Sequence, residues 1–380
     1  MLLLLFDTTR RSSWRVALIV GVLLLCLNAC DINPLSQSHT TSAIATATTT
    51  SDSSGNAQAD AVWADGRQLY AKGAYDAAIN AYNRALQLQP SFAAAYFWRG
   101  AAYAKKGDYN KAIADYDGAI QLKPDYAHAY NNRGIAHADQ GAYTQALADY
   151  AAAIQYQSDF SWPYSNRANV YRKQGDFARA LDDVNHALQL DANLASAYVV
   201  RGSIYDDKGD HDHAKSDYDE AIRLNPQLVE AYYNRGNMYL AQGNYDQAVT
   251  DFNQAIALNP VYGDAYHNRG VAYDDKHDYD AAIADYTKAL TLDPRAVATY
   301  VGRGNAYRDK RDFDPALADY AQAITIDPSY PFSYLNRAVL YRYKGDKDSA
   351  VADLRKVQEL AHDDHTQGMV DAQLKALGVK

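Results

Sequence analysis

AAAYFWRGAAYAKKGDYNKAIADYDGAIQLKPDY, residues 93–126, holds two amphipathic segments around one turn. Tyr96, Gly100 and Tyr103 are spaced by four and three and so share one helical face; Ala112, Tyr116 and Ala119 share another further on. Between them stand Gly107, suited to the φ > 0 end of the first helix, and Asp108, suited to capping the second. Pro124 closes the unit, because the residue before a proline is driven out of the helical region. The stretch therefore predicts a helical hairpin.

The hairpin recurs without insertions. Arg99, Arg133, Arg167, Arg201, Arg235, Arg269, Arg303 and Arg337 are each 34 residues apart. A small residue for the closest approach of the two helices runs through Ala78, Ala112, Ala146, Ala180, Ala214, Ala248, Ala282, Ala316 and Ala350. A tyrosine column on the first helix, from Tyr96 and Tyr130 to Tyr334, goes far to explain why the chain carries 33 Tyr and only 8 Phe.

A 34-residue period with these columns resembles the tetratricopeptide repeat. The resemblance implies an all-α, right-handed superhelical solenoid of antiparallel helix pairs, with about nine units over residues 59–364. The remaining residues, 365–380, carry Val370, Leu374 and Leu377 at four-and-three spacing, which fits a helix that caps the last repeat.

Repeats two to nine each carry an Arg on the first helix and an Asp on the second, as in Arg99 with Asp115 and Arg235 with Asp251. The first repeat has Asp65 and Ala81 in those places, so both partners are missing together. This joint loss predicts structural ion pairs within a repeat, with a crossed arrangement between neighbours as the alternative. A buried pair of this kind fixes geometry more reliably than it adds stability.

At the other end, Arg10, Arg11 and Arg15 precede an apolar run, VALIVGVLLLCL, too short for a comfortable membrane span. The residues that end it, Leu27-Asn28-Ala29-Cys30, resemble the lipobox of bacterial lipoproteins. That resemblance implies a signal peptide over residues 1–29 and lipidation of Cys30, hence an extracytoplasmic, membrane-anchored protein, or a secreted one if Cys30 is not lipidated. Residues 30–58 include a Ser/Thr-rich stretch that cannot bury enough apolar surface to order itself, so they read as a disordered tether. The chain carries a net charge of −9, which becomes −11 once three arginines and one aspartate leave with residues 1–29. A body this acidic disfavours nucleic acid as a partner.

Members of the repeat family mostly bind peptides or protein segments in the groove lined by their first helices. By that resemblance the residue before the Arg faces the groove, and here it is Asn132, Asn166, Asn234, Asn268 and Asn336 in five repeats. A side-chain amide both donates and accepts, so such a ladder can hold a peptide backbone; the alternative is that it bridges adjacent helices. Trp98, Trp162 and Tyr233 join them as aromatic groove candidates, and charges run from Lys105, Arg172 and Lys173 to Asp206, Asp207, Asp274 and Asp275. The expected function is a scaffold for a protein or extended peptide, by analogy in envelope assembly or secretion. A cell-wall carbohydrate-binding protein that stacks sugars on Trp98 and Trp162 is the alternative. No phosphate loop, HExxH or cysteine nucleophile is present, so no catalytic activity, cofactor or metal is expected.

DDKGDHDH, residues 206–213, looks like a metal motif but falls on the interhelical turn of the fifth repeat. His211 and His213 lie two apart on a helix start, which suits shared coordination poorly. His211 instead takes a place mostly held by Tyr or Phe, and Lys215 one held by Ile, Leu or Val. The expectation is a soft joint that opens more readily in mild acid, when His211 gains charge.

Overall fold

The computed structural model describes residues 53–379; the expected signal peptide, Cys30 and most of the expected tether lie outside them. The described residues form nineteen α-helices and no strand. The first repeat pairs α1 (Ala57–Ala71) with α2 (Tyr75–Leu88), the second α3 (Ala93–Lys105) with α4 (Tyr109–Leu122), the third α5 (Ala127–Asp139) with α6 (Tyr143–Tyr156). There follow α7 (Ser161–Lys173) with α8 (Phe177–Leu190), α9 (Ala195–Asp207) with α10 (His211–Leu224), and α11 (Val229–Ala241) with α12 (Tyr245–Leu258). The last three pairs are α13 (Gly263–Asp275) with α14 (Tyr279–Leu292), α15 (Val297–Lys310) with α16 (Phe313–Ile326), and α17 (Pro331–Lys344) with α18 (Lys347–Leu360). A single helix, α19 (Asp364–Ala376), ends the chain. None of the described helices is long and apolar enough to cross a membrane.

Two compact units divide the described residues, 53–234 and 235–379. In the first, consecutive first helices meet, α1 with α3, α3 with α5, α5 with α7 and α7 with α9, while each second helix backs onto its own partner. The same pattern holds α13 against α15 and α15 against α17 in the second unit.

The repeated residues explain the geometry. All nine alanines of the close-approach column are fully buried, because a larger side chain there would push the two helices apart. In the second repeat a Cβ added at Gly100 would stand 3.0 Å from Tyr116 Cε1 and 3.1 Å from the Ala112 carbonyl oxygen, so the absent side chain is what lets the ring lie across the first helix. Tyr82, Tyr116, Tyr150, Tyr218, Tyr286 and Tyr320 fill this place in six repeats and are nearly or wholly buried.

At the turns, Gly107 sits at φ 77° and Gly209 at φ 79°. His277 and Arg311 replace that glycine in repeats seven and eight yet adopt the same left-handed conformation, at φ 63° and 71°. The Asp that follows caps the second helix: Asp108 accepts from the Lys111 amide, and Asp176, Asp210, Asp278 and Asp346 do the same three residues on. At the end of the chain, Val370 and Leu374 of α19 are buried against Phe332, Leu335, Leu354 and Val357 of the ninth repeat.

Candidate partner-binding face

The ion pairs come first, because they decide which side chains remain for a partner. Arg99 lies one step after Trp98 on α3, and its Nε and Nη2 donate to Asp115 Oδ2 and Oδ1 at 2.8 and 2.6 Å. The third nitrogen, Nη1, donates to Asn83 Oδ1 of the preceding repeat at 2.6 Å. Arg235 holds Asp251 in the same fork, at 2.8 and 2.7 Å. The pairing is thus internal to the repeat, and a further bond reaches back to the neighbour: Arg133 to Asp117, Arg201 to Asn185, Arg269 to Asn253 and Arg303 to Thr287. Arg167 and Arg337 find alanines, Ala151 and Ala321, at the corresponding place.

The tyrosine column completes each set. The guanidinium carbon of Arg99 lies 5.3 Å from the Tyr96 ring centroid, and Arg133, Arg201, Arg269, Arg303 and Arg337 stand over Tyr130, Tyr198, Tyr266, Tyr300 and Tyr334 in the same way. Burial pushes the Asp115 carboxyl up from its ordinary range, although Arg99 opposes the shift. The desolvation that the pair must overcome is therefore large, which is why its contribution lies in geometry.

The asparagines serve the same joints. Asn132 is 2% exposed and Asn336 1%, and Asn166 is also buried, so these three are not open to a peptide. Asn166 Nδ2 donates to Asn131 Oδ1 at 2.9 Å, and Asn131 Nδ2 to Asn132 Oδ1 at 3.1 Å, joining repeats three and four. Asn234 donates to Ser203 Oγ at 3.3 Å, and Asn268 to Asn237 Oδ1 at 2.7 Å, each on the preceding first helix. Asn336 donates to the Phe332 carbonyl at 2.9 Å and accepts from Arg308 Nη1 at 3.2 Å. The bridging alternative is the one realised, because consecutive first helices approach closely where these amides lie and a buried amide must find its partners there.

The aromatic candidates divide in the same way. Trp98 is 3% exposed, wedged edge-on against Tyr70 and Phe97 with centroids 5.4 and 5.7 Å apart. Tyr233 is also buried, and Trp162 is half-buried against the core of repeats four and five. A sugar-stacking platform built on Trp98 is therefore closed.

What the joints leave over on the first helices is what differs from one repeat to the next. His128, Trp162, Ser196 and Glu230 occupy one such column; Ser196 and Glu230 are buried, while Trp162 and His128 are half-buried and His128 packs at a tilt on Phe160, ring centroids 4.5 Å apart. Lys105, half-buried, is pushed down to about 8 by burial, with the Glu230 carboxylate pulling the other way. Arg172 Nη1 binds Asp207 Oδ2 at 2.6 Å, so the early basic and later acidic residues are partly engaged with each other. Sequence reading offered no signal for that engagement, since the partners lie 35 residues apart.

At the fifth turn, His211 Nδ1 lies 2.8 Å from Asp206 Oδ1, and His213 Nδ1 the same distance from Asp210 Oδ2. Each ring faces a different carboxylate. His211 is thus hydrogen-bonded at the turn and is not a weakened apolar contact, which removes the reason for expecting a soft joint there.

Tetratricopeptide repeat models match residues 66–175 in three overlapping segments, and also 202–243 and 304–345. Related models of the same repeat match 162–194, 229–262, 263–295 and 333–364. None of the curated proteins matches the chain. Among solved structures, the chain is similar to the Cut9-Hcn1 hetero-tetramer of APC/C, with 15% identity over 83% of this chain and 76% of the other and a TM-score of 0.58. It is also similar to a monomeric IFIT1 mutant with Gppp-AAAA, with 15% identity over 78% and 80% of the two chains and a TM-score of 0.56. A tetratricopeptide repeat protein from Parabacteroides merdae gives 23% identity over 65% and 98%, with a TM-score of 0.47. At these identities the likeness is one of fold alone; the repeat models, which together match well over half of the sequence, show that the chain belongs to the tetratricopeptide repeat family.

Proposed function

We propose that the chain is a non-catalytic scaffold that binds a protein or peptide segment on the face formed by its first helices. One observation carries this reading. The residues that recur every 34 positions are spent on packing and on the joints, whereas side chains in a first-helix column that changes between repeats, such as the half-buried His128 and Trp162, serve neither the Ala nor the Arg–Asp framework. A framework that stays constant while one face varies is how a repeat array acquires specificity for a partner.

The same reading places the array outside the cytoplasm, tethered by a lipid on Cys30 through residues 30–58, and assigns it to envelope assembly or secretion. What supports this is the Leu27-Asn28-Ala29-Cys30 sequence after a basic and apolar leader. Crosslinking in the native cell, followed by identification of what attaches, tests the scaffold. Partners retained after simultaneous substitution of Lys105, His128 and Trp162 would place binding elsewhere. Mass spectrometry of the mature N-terminus tests the anchor; an unmodified terminus away from Cys30 overturns it.

A further inference from the structure

The chain enters the array at one edge. Each helix pair is antiparallel, so the N-terminus of a first helix and the C-terminus of its second helix share an end. Asn56, which caps α1, donates from Nδ2 to the Leu88 carbonyl at the C-terminus of α2, at 3.2 Å. Ser53 Oγ and the Ser54 amide donate to Asp60 at 2.7 Å each, so the chain is fastened to that end from Ser53 onward. Whatever precedes residue 53 therefore leaves from the end that carries Leu88.

Leu88 opens a row. Leu122, Tyr156 and Leu190 follow at 34-residue intervals on the last turns of α4, α6 and α8, and the four are exposed by 36% to 47%. Tyr156 is steadied by a stacked contact with Tyr130, ring centroids 5.5 Å apart. The equivalent Leu224 of the fifth repeat is half-buried, so the exposed row covers the four repeats that follow the point of entry. Beside it, Lys123 is turned over the Tyr126 ring at 4.7 Å, whereas Asp125 and Asp159 are exposed. Anionic groups are thus not attracted to this edge, and a contact here depends on the apolar side chains.

We propose that Leu88, Leu122, Tyr156 and Leu190 form a surface that rests on a lipid bilayer with zwitterionic headgroups. The proposal rests on the lipid-anchor reading of Cys30 above and says which edge of the first unit meets the membrane. The 22 residues 31–52, read as a flexible tether, span about 25 Å r.m.s.. An anchor this close keeps the edge at an effective concentration of about millimolar, so a contact too weak to recruit the free protein still forms. The side chains suit the place: leucines enter the boundary between headgroups and acyl chains, and a tyrosine ring sits at headgroup level. A second copy fits less well, because four side chains one repeat apart make a line and not the broad patch that a stable dimer needs.

The test uses the full protein purified from its native membrane and reconstituted into phosphatidylcholine vesicles that contain a phosphatidylcholine with a diazirine on its acyl chain. After illumination, peptide mass spectrometry locates the label. The expected yield on segments 84–91, 118–125, 152–159 and 186–193 is at least fivefold that on the turn segments 104–111, 138–145 and 172–179. Substituting Leu122→Asn, Tyr156→Asn and Leu190→Asn together should lower the row's label at least fivefold with helical circular dichroism unchanged. Tyr156→Asn alone should lower it in 152–159, which keeps the test decisive if the triple variant unfolds. Equal label on both edges, label confined to residues 30–52, or full label in a folded variant each overturn the proposal. An unlabelled row in a dimer that the same substitutions dissociate also overturns it and assigns the row to a second copy. The two readings fail separately. If Cys30 proves unmodified, the anchor reading falls; coupling the full chain through the Cys30 thiol, with Cys26→Ser, to a maleimide lipid then supplies the tether, and the same labelling decides the row.

Discussion

Arg99 ties Asn83 of the first repeat to Asp115 of the second through one guanidinium, with the Nη1 bond to Asn83 at 2.6 Å and the Nη2 bond to Asp115 at 2.6 Å. The two bonds differ in what their loss exposes. Asp115→Ala leaves a half-buried cation without its counter-charge and is expected to cost about 3 kcal/mol, whereas Asn83→Ala removes a more exposed hydrogen bond and should cost about 1 kcal/mol. Urea unfolding of the two variants checks the order; equal costs would mean that the joint between repeats is as strong as the pair within one.

Arg311 stands at φ 71° where most repeats place glycine. Arg311→Gly is expected to stabilise the eighth repeat by about 1 kcal/mol, since a side chain in the left-handed region is strained by about that amount. The midpoint of thermal unfolding should rise, and no change would show that the turn had relaxed the strain.

The reverse substitution at a close approach should be harmful. Gly100→Ala places a Cβ 3.0 Å from the buried Tyr116 ring and 3.1 Å from the Ala112 carbonyl oxygen, and the backbone atom cannot swing away. A loss of about 1–3 kcal/mol is expected from such overpacking. Gly107→Ala, at φ 77° but with nothing within 4 Å, tests strain without the clash and should cost less.

His267 is buried, its Nδ1 lies 2.9 Å from Thr299 Oγ1, and burial pushes the ring down to about 4. The folded state then stays neutral while the unfolded chain takes up a proton near pH 6.5, so stability present above that pH falls as the solution is acidified toward pH 4. His267→Leu, which introduces a residue found at the equivalent Leu335, should flatten this dependence. Denaturation midpoints at pH 7.5, 6 and 4.5 check it, and an unchanged slope would assign the acid sensitivity to another group, His128 among them, which burial also lowers to about 4.

At the fifth turn His211 is hydrogen-bonded to Asp206. Amide exchange of residues 206–213, corrected for its intrinsic pH dependence, should be no faster relative to repeats four and six at pH 5.5 than at pH 7.5. Selective opening in acid would show that the turn is a soft joint despite this contact.

The helix pairs were legible because their residues answer to local rules. Gly107 and Asp108 announce a turn, Tyr96, Gly100 and Tyr103 announce a face, and a 34-residue period repeats both until the assignment is secure. The Arg99–Asp115 pairing was legible for the same reason, since the first repeat lacks both partners at once. Asn132 and Trp98 were misread as groove residues because a position on a helix says which way a side chain leaves the axis, and not what arrives from the next repeat to cover it.

The sequence by itself thus determined the repeat, its helices, its turns and its core columns, all of which depend on neighbours within one or two helical turns or one repeat. Only the tertiary structure decided which polar side chains were taken up. Asn166 meets Asn131 and Arg172 meets Asp207 from 35 residues away, while Arg67 lies between two indoles with no carboxylate to hold among the described residues. A buried polar group must be satisfied by whatever the packing brings within about 3 Å, and the packing of one repeat on the next sets those distances.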